Sequence, residues 1–436
     1  MTTAVPTTDR LPSPVRTSFP KDKIRVLLLE RIHPRAEELF AAEGFQVEMQ
    51  KGALSGNELA EAAREAHILG IRSASQLRGP VLEQCPRLLT VGCFCIGTNQ
   101  VDLRSANLAG VPVFNSPFSN TRSVAELTIA EIVALYRRLT DKAAQMHAGV
   151  WDKSAAGAHE VRGRALGIVG YGRIGSQVSV LAEAMGMRVL FFDTAAVLPL
   201  GNARAVRTLD ELLAQSDVVS LHIPATKGTD RMIGAKQIAA MKPGSYLINN
   251  ARGGVVDITA LATALHEKKL AGAALDVFPK EPSSNSEPFE SELRGLPNVI
   301  LTPHVAGSTE EAQESIAVDV ATKLIRFINN GSTTGSVNSP QVDLPEQSTL
   351  TDEGDAVASP GAARRHRILH FHRNVPGVLS KMHAIIAEVG ANIAAEYLQT
   401  NPEVGYVVLD VDPTNAPPIV ERLKAIPETI RVRMLW

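Results

Sequence analysis

Short apolar runs alternate with amphipathic stretches along most of the chain, which is the pattern of a parallel α/β sheet. In the first part, apolar runs predict strands at 24–29, 45–49, 68–71, 88–94 and 111–115, with helices at 34–44 and 56–66. A long helical pattern at 121–149 then separates this α/β unit from the next one. We therefore expect a first doubly wound sheet that begins near residue 23.

The alternation restarts at residue 164 and predicts a second doubly wound sheet. Its further strands are predicted at 188–192, 218–223, 245–249, 273–278 and 299–302. A helical stretch at 309–330 has too little chain after it to form its own core, so we expect it to pack back on the first unit. The pattern thus predicts a first domain formed by residues 23–119 and 307–342, which is interrupted by a second domain at 120–306.

The C-terminal part reads as a linker followed by a small third domain. Residues 343–365 combine prolines and glycines with small polar residues, and the basic cluster 364–367 at their end is read as a solvated tether. Residues 366–436 predict the order βαββαβ, which is ferredoxin-like. Residues 1–22 contain prolines and threonines without an apolar segment, and we expect a disordered tail there.

A glycine turn at the centre of the second unit carries the first functional signal. Gly170, Gly172 and Gly175 form G-x-G-x-x-G between an apolar run and a helical pattern, as in a turn that holds a pyrophosphate at a helix N-terminus. Asp193 lies 18 residues after Gly175 (193 − 175), where a carboxylate accepts the ribose hydroxyls. No cation follows at 194–196, so NAD is favoured over NADP. The alternative is a glycine turn in another kind of α/β domain.

Composition and charge narrow the class of protein without identifying it. The chain has 436 residues, which predicts two or three domains, and a net charge of −2 gives no general affinity for nucleic acid or membranes. Its three cysteines, Cys85, Cys93 and Cys95, form no disulfide framework and read as small buried hydrophobes, with a metal or redox role as the alternative. We expect a cytoplasmic protein without a metal site.

Three polar residues follow predicted strands of the second unit. Arg252 follows the strand at 245–249, Glu281 lies just beyond the strand at 273–278, and His304 follows the strand at 299–302. A histidine can take a hydroxyl proton near neutral pH, a carboxylate can orient the imidazole, and a guanidinium can hold a substrate carboxylate. Together they suit hydride transfer from a 2-hydroxy acid. Taken singly, Arg252 could form a surface ion pair, Glu281 could be a solvated acid in a turn, and His304 could cap a helix.

Several longer motifs carry a family resemblance. Residues 91–102, 118–126, 170–175, 246–254, 274–282 and 303–304 match the pattern of the D-isomer-specific 2-hydroxyacid dehydrogenases, and the match runs from about residue 23 to 436. The chain most resembles members with a C-terminal ACT domain. The resemblance implies a flavodoxin-like substrate-binding domain, a Rossmann-type NAD-binding domain and a ferredoxin-like ACT regulatory domain. It also implies oxidation of 3-phosphoglycerate to 3-phosphohydroxypyruvate, the first step of L-serine synthesis.

The resemblance also implies roles for individual residues. The catalytic set would be Arg252, Glu281 and His304. NAD would be bound by Gly170, Gly172, Arg173, Ile174, Gly175, Asp193, Asn250, Ala251, Arg252, Asp276, His304, Val305, Ala306 and Gly307, with Asp276 near the nicotinamide amide. Substrate would be bound by Arg72, Ser73, Ile96, Gly97 and Asn120.

One position departs from the family pattern. Ala74 stands where a second phosphate-binding arginine is expected, and Lys153 from a second subunit could replace its charge. The departure leaves 2-oxoglutarate open as a further substrate. Two other functions also stay open, namely a glyoxylate or hydroxypyruvate reductase and an NAD-sensing corepressor.

The C-terminal domain implies regulation and assembly. The turns that contain His372, Asn374 and Asn392 match the effector-binding turns of ACT domains, so L-serine is expected to bind between paired ACT domains and to slow turnover. The alternative is that the two asparagines only stabilise turns. The resemblance implies a homotetramer. Trp151 lies in an otherwise polar segment after the long helical pattern, and this position suggests an inter-subunit anchor or, alternatively, a residue of a loop packed within one chain.

Overall fold

A computed structural model describes residues 20–282, 286–344, 366–411 and 416–435 of the chain, with side chains from 418 onward in the last range. The polypeptide divides into two compact units, of which unit 1 comprises residues up to 117 and from 313, and unit 2 comprises residues 118–312. The predicted tail, nearly in full, and most of the predicted linker lie outside the described residues.

The first part of unit 1 is a five-stranded parallel sheet with the order β2-β1-β3-β4-β5. Its elements are β1 (Arg25–Leu28), α1 (Pro34–Ala42), β2 (Gln46–Met49), α2 (Gly56–Ala63), β3 (Ile68–Ile71), α3 (Gly79–Glu83), β4 (Thr90–Cys93), α4 (Leu103–Leu108) and β5 (Val113–Asn115). This strand order is that of flavodoxin-like folds. A 3₁₀ turn at Lys21–Lys23 precedes the sheet.

Unit 2 is built on a seven-stranded parallel sheet with the order β12-β11-β10-β9-β6-β7-β8. Its elements are α5 (Thr121–Arg137), α6 (Leu139–His147), β6 (Ala165–Val169), α7 (Arg173–Ala184), β7 (Arg188–Phe192), β8 (Arg204–Ala205), α8 (Leu209–Gln215), β9 (Val218–Leu221), α9 (Ala235–Ala240), β10 (Ser245–Asn249), a 3₁₀ turn (Gly253–Val255), α10 (Ile258–His266), β11 (Leu270–Leu275) and β12 (Val299–Leu301). The strand order reverses between β6 and β9, and ligands of open α/β sheets bind at such a switch point.

The rest of unit 1 is one long helix and a ferredoxin-like module. Its elements are α11 (Glu310–Asn330), β13 (His366–Arg373), α12 (Val378–Glu388), β14 (Ile393–Thr400), β15 (Val404–Val411), α13 (Ala416–Lys424) and β16 (Thr429–Met434). Within unit 1, α11 buries Val320 and Leu324 against the first sheet, in one apolar cluster that also contains Leu28 and Ile68. The module's antiparallel sheet has the order β14-β15-β13-β16, as βαββαβ predicts. The predicted fold class is confirmed.

The prediction of one helix over residues 121–149 is wrong. The helix is interrupted at Arg138, whose φ of 50° is left-handed, and the chain continues as a separate helix, α6. The guanidinium of Arg138 pairs with Asp141, whose carboxylate accepts the backbone N–H of Asn298. These contacts stabilise a break that the apolar periodicity does not reveal. The pattern also missed the short helices α3 and α4 and placed β11 three residues late.

No helix in the described ranges is long and apolar enough to cross a membrane. The same residues contain no cluster of three or more His, Cys, Asp or Glu side chains that could hold a metal ion. Cys85 and Cys93 are buried, and burial raises the pKa of both thiols. Their surroundings are those of packed apolar side chains and not of reactive thiols.

Candidate active site

The glycine turn connects β6 to the N-terminus of α7. Gly170 has a φ of 90°, and a Cβ atom there would lie 2.5 Å from the carbonyl oxygen of His222. A Cβ on Gly175 would lie 2.2 Å from the carbonyl oxygen of Gly170, so only glycine allows this closeness of turn and helix. A Cβ on Gly172 would meet nothing within 4 Å. The helix N-terminus therefore faces open space, which suits a pyrophosphate.

Asp193 lies at the end of β7, beside this turn. Its carboxylate accepts the backbone N–H groups of Tyr171 at 2.7 Å and of Ala195 at 2.9 Å. The aspartate is therefore oriented by backbone on both sides. At the start of α7, the guanidinium of Arg173 lies 3.8 Å above the ring of Phe118, and Ile174 is half-buried. This arrangement fits a dinucleotide whose ribose reaches the end of β7.

The turn that carries Arg252 follows β10 and is fixed by the two asparagines before it. The side chain of Asn249 donates to the carbonyl of Arg252 at 3.0 Å and accepts from the N–H of Ala251 at 3.2 Å. The guanidinium of Arg252 donates to the carbonyl of Ala251 at 2.7 Å and is half-buried. Asn250, in contrast, is 6% exposed and turns its side chain into the protein interior.

Asp276 fixes the loop that carries His304. Its carboxylate is 1% exposed and accepts the hydroxyl of Thr302 at 2.6 Å and the N–H groups of Val305 and Ala306 at 2.8 Å. The N–H of His304 donates to the Asp276 carbonyl at 2.8 Å, and His304 has a left-handed φ of 56°. Asp276 therefore shapes the loop directly, a role that the sequence did not indicate.

The structure brings His304 and Glu281 together, as predicted. The Nδ1 atom of His304 lies 2.9 Å from Oε2 of Glu281, while Oε1 of the same carboxylate accepts the N–H of Phe278 at 3.0 Å. The carboxylate is thus held by backbone while it orients the imidazole. About half of the His304 side chain is exposed, so its other nitrogen, Nε2, is open to a reactant.

The start of α5 contacts the far side of the His304 loop. Asn120 is 8% exposed, and a Cβ atom on Gly307 would lie 2.0 Å from its amide nitrogen. The hydroxyls of Ser123 and Thr309 lie 2.9 Å apart. A larger residue at position 307 would therefore require the Asn120 side chain to move.

The predicted substrate-binding residues of unit 1 follow β3 and β4. The carboxylate of Glu30 accepts the backbone N–H groups of Arg72, Ala74 and Ser75, at 2.9–3.0 Å. The amide of Gln100 donates to the carbonyls of Arg72 at 2.6 Å and of Gly97 at 3.2 Å. The loops after the two strands are therefore tied together. The carbonyl of Ile96 accepts the side chain of Asn115 at 2.6 Å, and Ser73 is exposed.

Two further cations lie at the same sheet edge and were missed by sequence reasoning. Arg31 and Lys51 are exposed and follow β1 and β2, so neighbouring strands β2, β1 and β3 each lead to a cation, the third being Arg72. Arg31 has a left-handed φ of 52°, which is uncommon for a residue other than glycine. The signal that could have found them is their position just after predicted strands.

The predicted effector residues of the ACT module lie in different surroundings. Asn374 is exposed and donates to the carbonyl of Asn401 at 2.8 Å, and Asn392 is exposed before β14. His372, in contrast, is 3% exposed, and its Nδ1 atom lies 2.7 Å from the Arg373 carbonyl.

The loop that Asn374 contacts also joins the module to the first domain of unit 1. The side chain of Asn401 donates to that of Asn107 at 3.1 Å, and Glu403 forms an ion pair of 2.7 Å with Arg104. Sequence reasoning missed both of these contacts, because the partners are almost 300 positions apart.

Comparison with known proteins agrees with this geometry. Residues 129–306 match the profile of the D-isomer specific 2-hydroxyacid dehydrogenase NAD-binding domain, and residues 368–431 match that of the AHAS small subunit-like ACT domain. The D-3-phosphoglycerate dehydrogenase of Haemophilus influenzae is 51% identical over 97% of this chain and 99% of the relative. That of Dictyostelium discoideum is 49% identical over 96% of this chain and 99% of the relative.

A solved structure of another 2-hydroxy acid dehydrogenase agrees with these matches over most of the chain. The D-lactate dehydrogenase of Aquifex aeolicus, in complex with NAD and lactic acid, superposes with a TM-score of 0.61 at 30% identity, covering 70% of this chain and 96% of that one. These comparisons confirm the resemblance carried by the sequence motifs, and with it NAD as the cofactor. The chain belongs to the D-isomer-specific 2-hydroxyacid dehydrogenase family, among the D-3-phosphoglycerate dehydrogenases with a C-terminal ACT domain.

Proposed function

We propose that the protein oxidises 3-phospho-D-glycerate to 3-phosphohydroxypyruvate with NAD, as the first step of L-serine biosynthesis in the cytoplasm. The observation that carries the proposal is the 2.9 Å pair of His304 and Glu281, which follow the neighbouring strands β12 and β11 at the carboxyl ends of the NAD-binding sheet. The choice of substrate is supported by the D-3-phosphoglycerate dehydrogenases of Haemophilus influenzae and Dictyostelium discoideum, whose sequences are 51% and 49% identical to this one over nearly the whole chain.

His304, Glu281 and Arg252 each have a distinct role in the reaction. Glu281 holds the Nδ1 proton of His304, which leaves the Nε2 lone pair to accept the proton of the substrate 2-hydroxyl. The negative charge of Glu281 then stabilises the imidazolium. Arg252 binds the substrate carboxylate and polarises the 2-oxygen. The glycine turn at 170–175 and Asp193 would hold NAD, which would supply the acceptor for the hydride on carbon 2 of the substrate.

The phosphate subsite is assigned to the basic edge of unit 1. Arg72 and Ser73 provide a cation and a hydroxyl, and Arg31 and Lys51 follow the two neighbouring strands. The backbone N–H groups of Arg72, Ala74 and Ser75 already donate to the carboxylate of Glu30 and are not available to a phosphate. A phosphate there would therefore be bound mainly by cationic side chains. Arg31 is therefore a candidate for the charge that Ala74 does not supply, alongside Lys153 of a second subunit.

Steady-state rates with NAD and three hydroxy acids test the proposed substrate. We expect kcat/KM for 3-phosphoglycerate to exceed that for 2-hydroxyglutarate, and that for glycerate to be lowest because glycerate has a single charge. Comparable rates for the first two would support 2-oxoglutarate reduction as a side reaction. A preference for glycerate would contradict the proposal and favour a hydroxypyruvate or glyoxylate reductase. No turnover with any hydroxy acid would favour an NAD-sensing corepressor.

L-serine is proposed as the effector of the ACT module. Exposed Asn374 and Asn392 present side-chain amides that can bind the carboxylate and amino groups of an amino acid. We expect L-serine to lower the rate, and Asn374→Ala to raise the serine concentration for half inhibition at least tenfold with uninhibited kcat retained. Inhibition that is unchanged in this variant would exclude the assigned site.

A homotetramer is proposed for the assembled enzyme. Trp151 is 73% exposed, which disfavours packing within its own chain, and Leu139, Met146 and Val150 on and after α6 are also exposed. Exposed apolar residues in one segment indicate an interface. We expect four chains by light scattering, and dissociation of the Trp151→Ser variant. A monomeric native protein would refute the assembly.

A further inference from the structure

A buried carboxyl group under the active-site turn has no role in the mechanism above. Glu131, on helix α5, is 3% exposed. Its Oε2 atom accepts the side-chain amide of Asn250 at 2.7 Å, and the same amide also reaches the hydroxyl of Thr128 at 3.1 Å. A carboxyl group is rarely buried without a specific partner, because burial of a charged or polar group has a large desolvation cost.

The partner of Glu131 belongs to the turn that carries the catalytic arginine. Asn250 directly follows β10 and precedes Arg252 by two residues. Asn249 fixes the same turn through the carbonyl of Arg252 and the N–H of Ala251. The turn is therefore held at two points, by Asn249 from within its own segment and by Glu131 from helix α5.

The position of Glu131 also relates it to the His304 loop. Burial is the main cause that raises the pKa of Glu131, and the negative charge of Asp276 raises it further. Asp276 is the residue whose carboxylate accepts the N–H groups of Val305 and Ala306. Glu131 thus lies within electrostatic range of the group that shapes the second catalytic loop.

We propose that Glu131 is a positioning residue for the reaction: by holding Asn250, it fixes the turn on which Arg252 binds the substrate carboxylate. The inference rests on the proposed function, in which Arg252 grips the substrate. Glu131 itself contacts no substrate in this account. A purely structural role is the competing explanation, since buried hydrogen-bonded side chains also stabilise cores.

Two substitutions separate positioning from structural support. Glu131→Leu fills the space with an apolar side chain and leaves the Asn250 amide with only the more distant Thr128 hydroxyl as acceptor, whereas Glu131→Gln keeps an oxygen that can accept the same amide proton. For 3-phosphoglycerate oxidation we expect kcat to fall at least tenfold in Glu131→Leu and to stay within threefold in Glu131→Gln. The dissociation constant of ADP-ribose, the part of NAD that the glycine turn and Asp193 would hold, should change less than threefold in both. Tyr136→Phe on the same helix is the matched control and should retain native kcat, since the buried Tyr136 hydroxyl has no hydrogen-bond partner among the described residues.

A double-mutant cycle completes the test, and its single variant Asn250→Ala covers the case in which Glu131→Leu does not fold. Asn250→Ala alone should also lower kcat at least tenfold, and the double variant Glu131→Leu/Asn250→Ala should be no slower than Asn250→Ala. Native kcat in Asn250→Ala, equal kcat in the Leu and Gln variants, or multiplicative losses would each overturn the inference. The proposed function would survive such results, because it is tested by turnover of the native enzyme.

Discussion

The pairing of Glu281 with His304 makes a quantitative prediction for the substitution Glu281→Gln. Glutamine keeps its one oxygen for the N–H of Phe278, so the turn after β11 is retained, but its NH2 group then faces Nδ1 and the negative charge beside the imidazole is lost. The NH2 group cannot accept the Nδ1 proton, and a hydrogen bond to a charged group contributes about 1.5–3 kcal/mol. Exposed fractions of 53% for His304 and 35% for Glu281 favour the low end of this range, because water screens the charge.

A loss of about 1–1.5 kcal/mol in the stabilisation of the imidazolium corresponds to about a tenfold lower kcat. The assay is NADH formation from 3-phosphoglycerate at saturating substrate and NAD, with thermal denaturation as the check on folding. Glu290→Gln removes an exposed carboxylate of the same unit, paired with Arg294, and serves as the control with native kcat. A folded Glu281→Gln enzyme with kcat within twofold of native would refute the assigned role of the carboxylate.

Three further predictions concern the cofactor, the phosphate and pH. Gly175→Ala places a Cβ where the Gly170 carbonyl lies 2.2 Å away, so we expect a lower Tm and at least tenfold weaker NAD binding by calorimetry; native NAD affinity would contradict this. Arg72→Ala removes one charge-assisted contact of about 1.5–3 kcal/mol, so we expect the KM for 3-phosphoglycerate to rise at least tenfold. The control is Arg25→Ala, at the opposite end of the same sheet, which should leave this KM unchanged. Equal effects of the two variants would exclude a local phosphate contact. Burial raises the pKa of Glu131 from its ordinary 4.5 to about 7, so the folded state retains a proton that the unfolded chain loses, and stability falls as pH rises through this window. The free energy of unfolding of Glu131→Gln relative to native should therefore increase by about 2.5 kcal/mol between pH 5 and pH 8, and a constant difference would show that the proton is not retained.

Local patterns in the chain are sufficient to predict much of the fold. The glycine turn, the acid after β7 and the polar residues after β10, β11 and β12 follow from short segments, because the strand period and turn chemistry are encoded locally. The break at Arg138 could not be predicted in this way. Its left-handed conformation is stabilised by Asp141, which in turn binds the backbone of Asn298, 157 positions away.

The same distinction applies to the candidate site. The types of His304, Glu281 and Arg252 and their positions after strands indicate their chemistry, and the structure brings the histidine and the glutamate together. The groups that hold them in place are remote in sequence and were not foreseen. Glu30 binds amides more than 40 positions away, and Glu131 meets Asn250 at a separation of 119. Such partners depend on tertiary packing, which hydrophobic periodicity does not specify.

The mechanism requires that the imidazole of His304 accept the proton of the substrate hydroxyl. The most direct measurement is kcat for 3-phosphoglycerate oxidation in His304→Gln, together with NAD binding to the same variant by calorimetry. General base catalysis contributes about 10²–10⁴-fold, so we predict a loss of kcat in this range with NAD affinity within threefold of native. A folded variant that binds NAD and keeps kcat within tenfold of native would show that His304 is not the base.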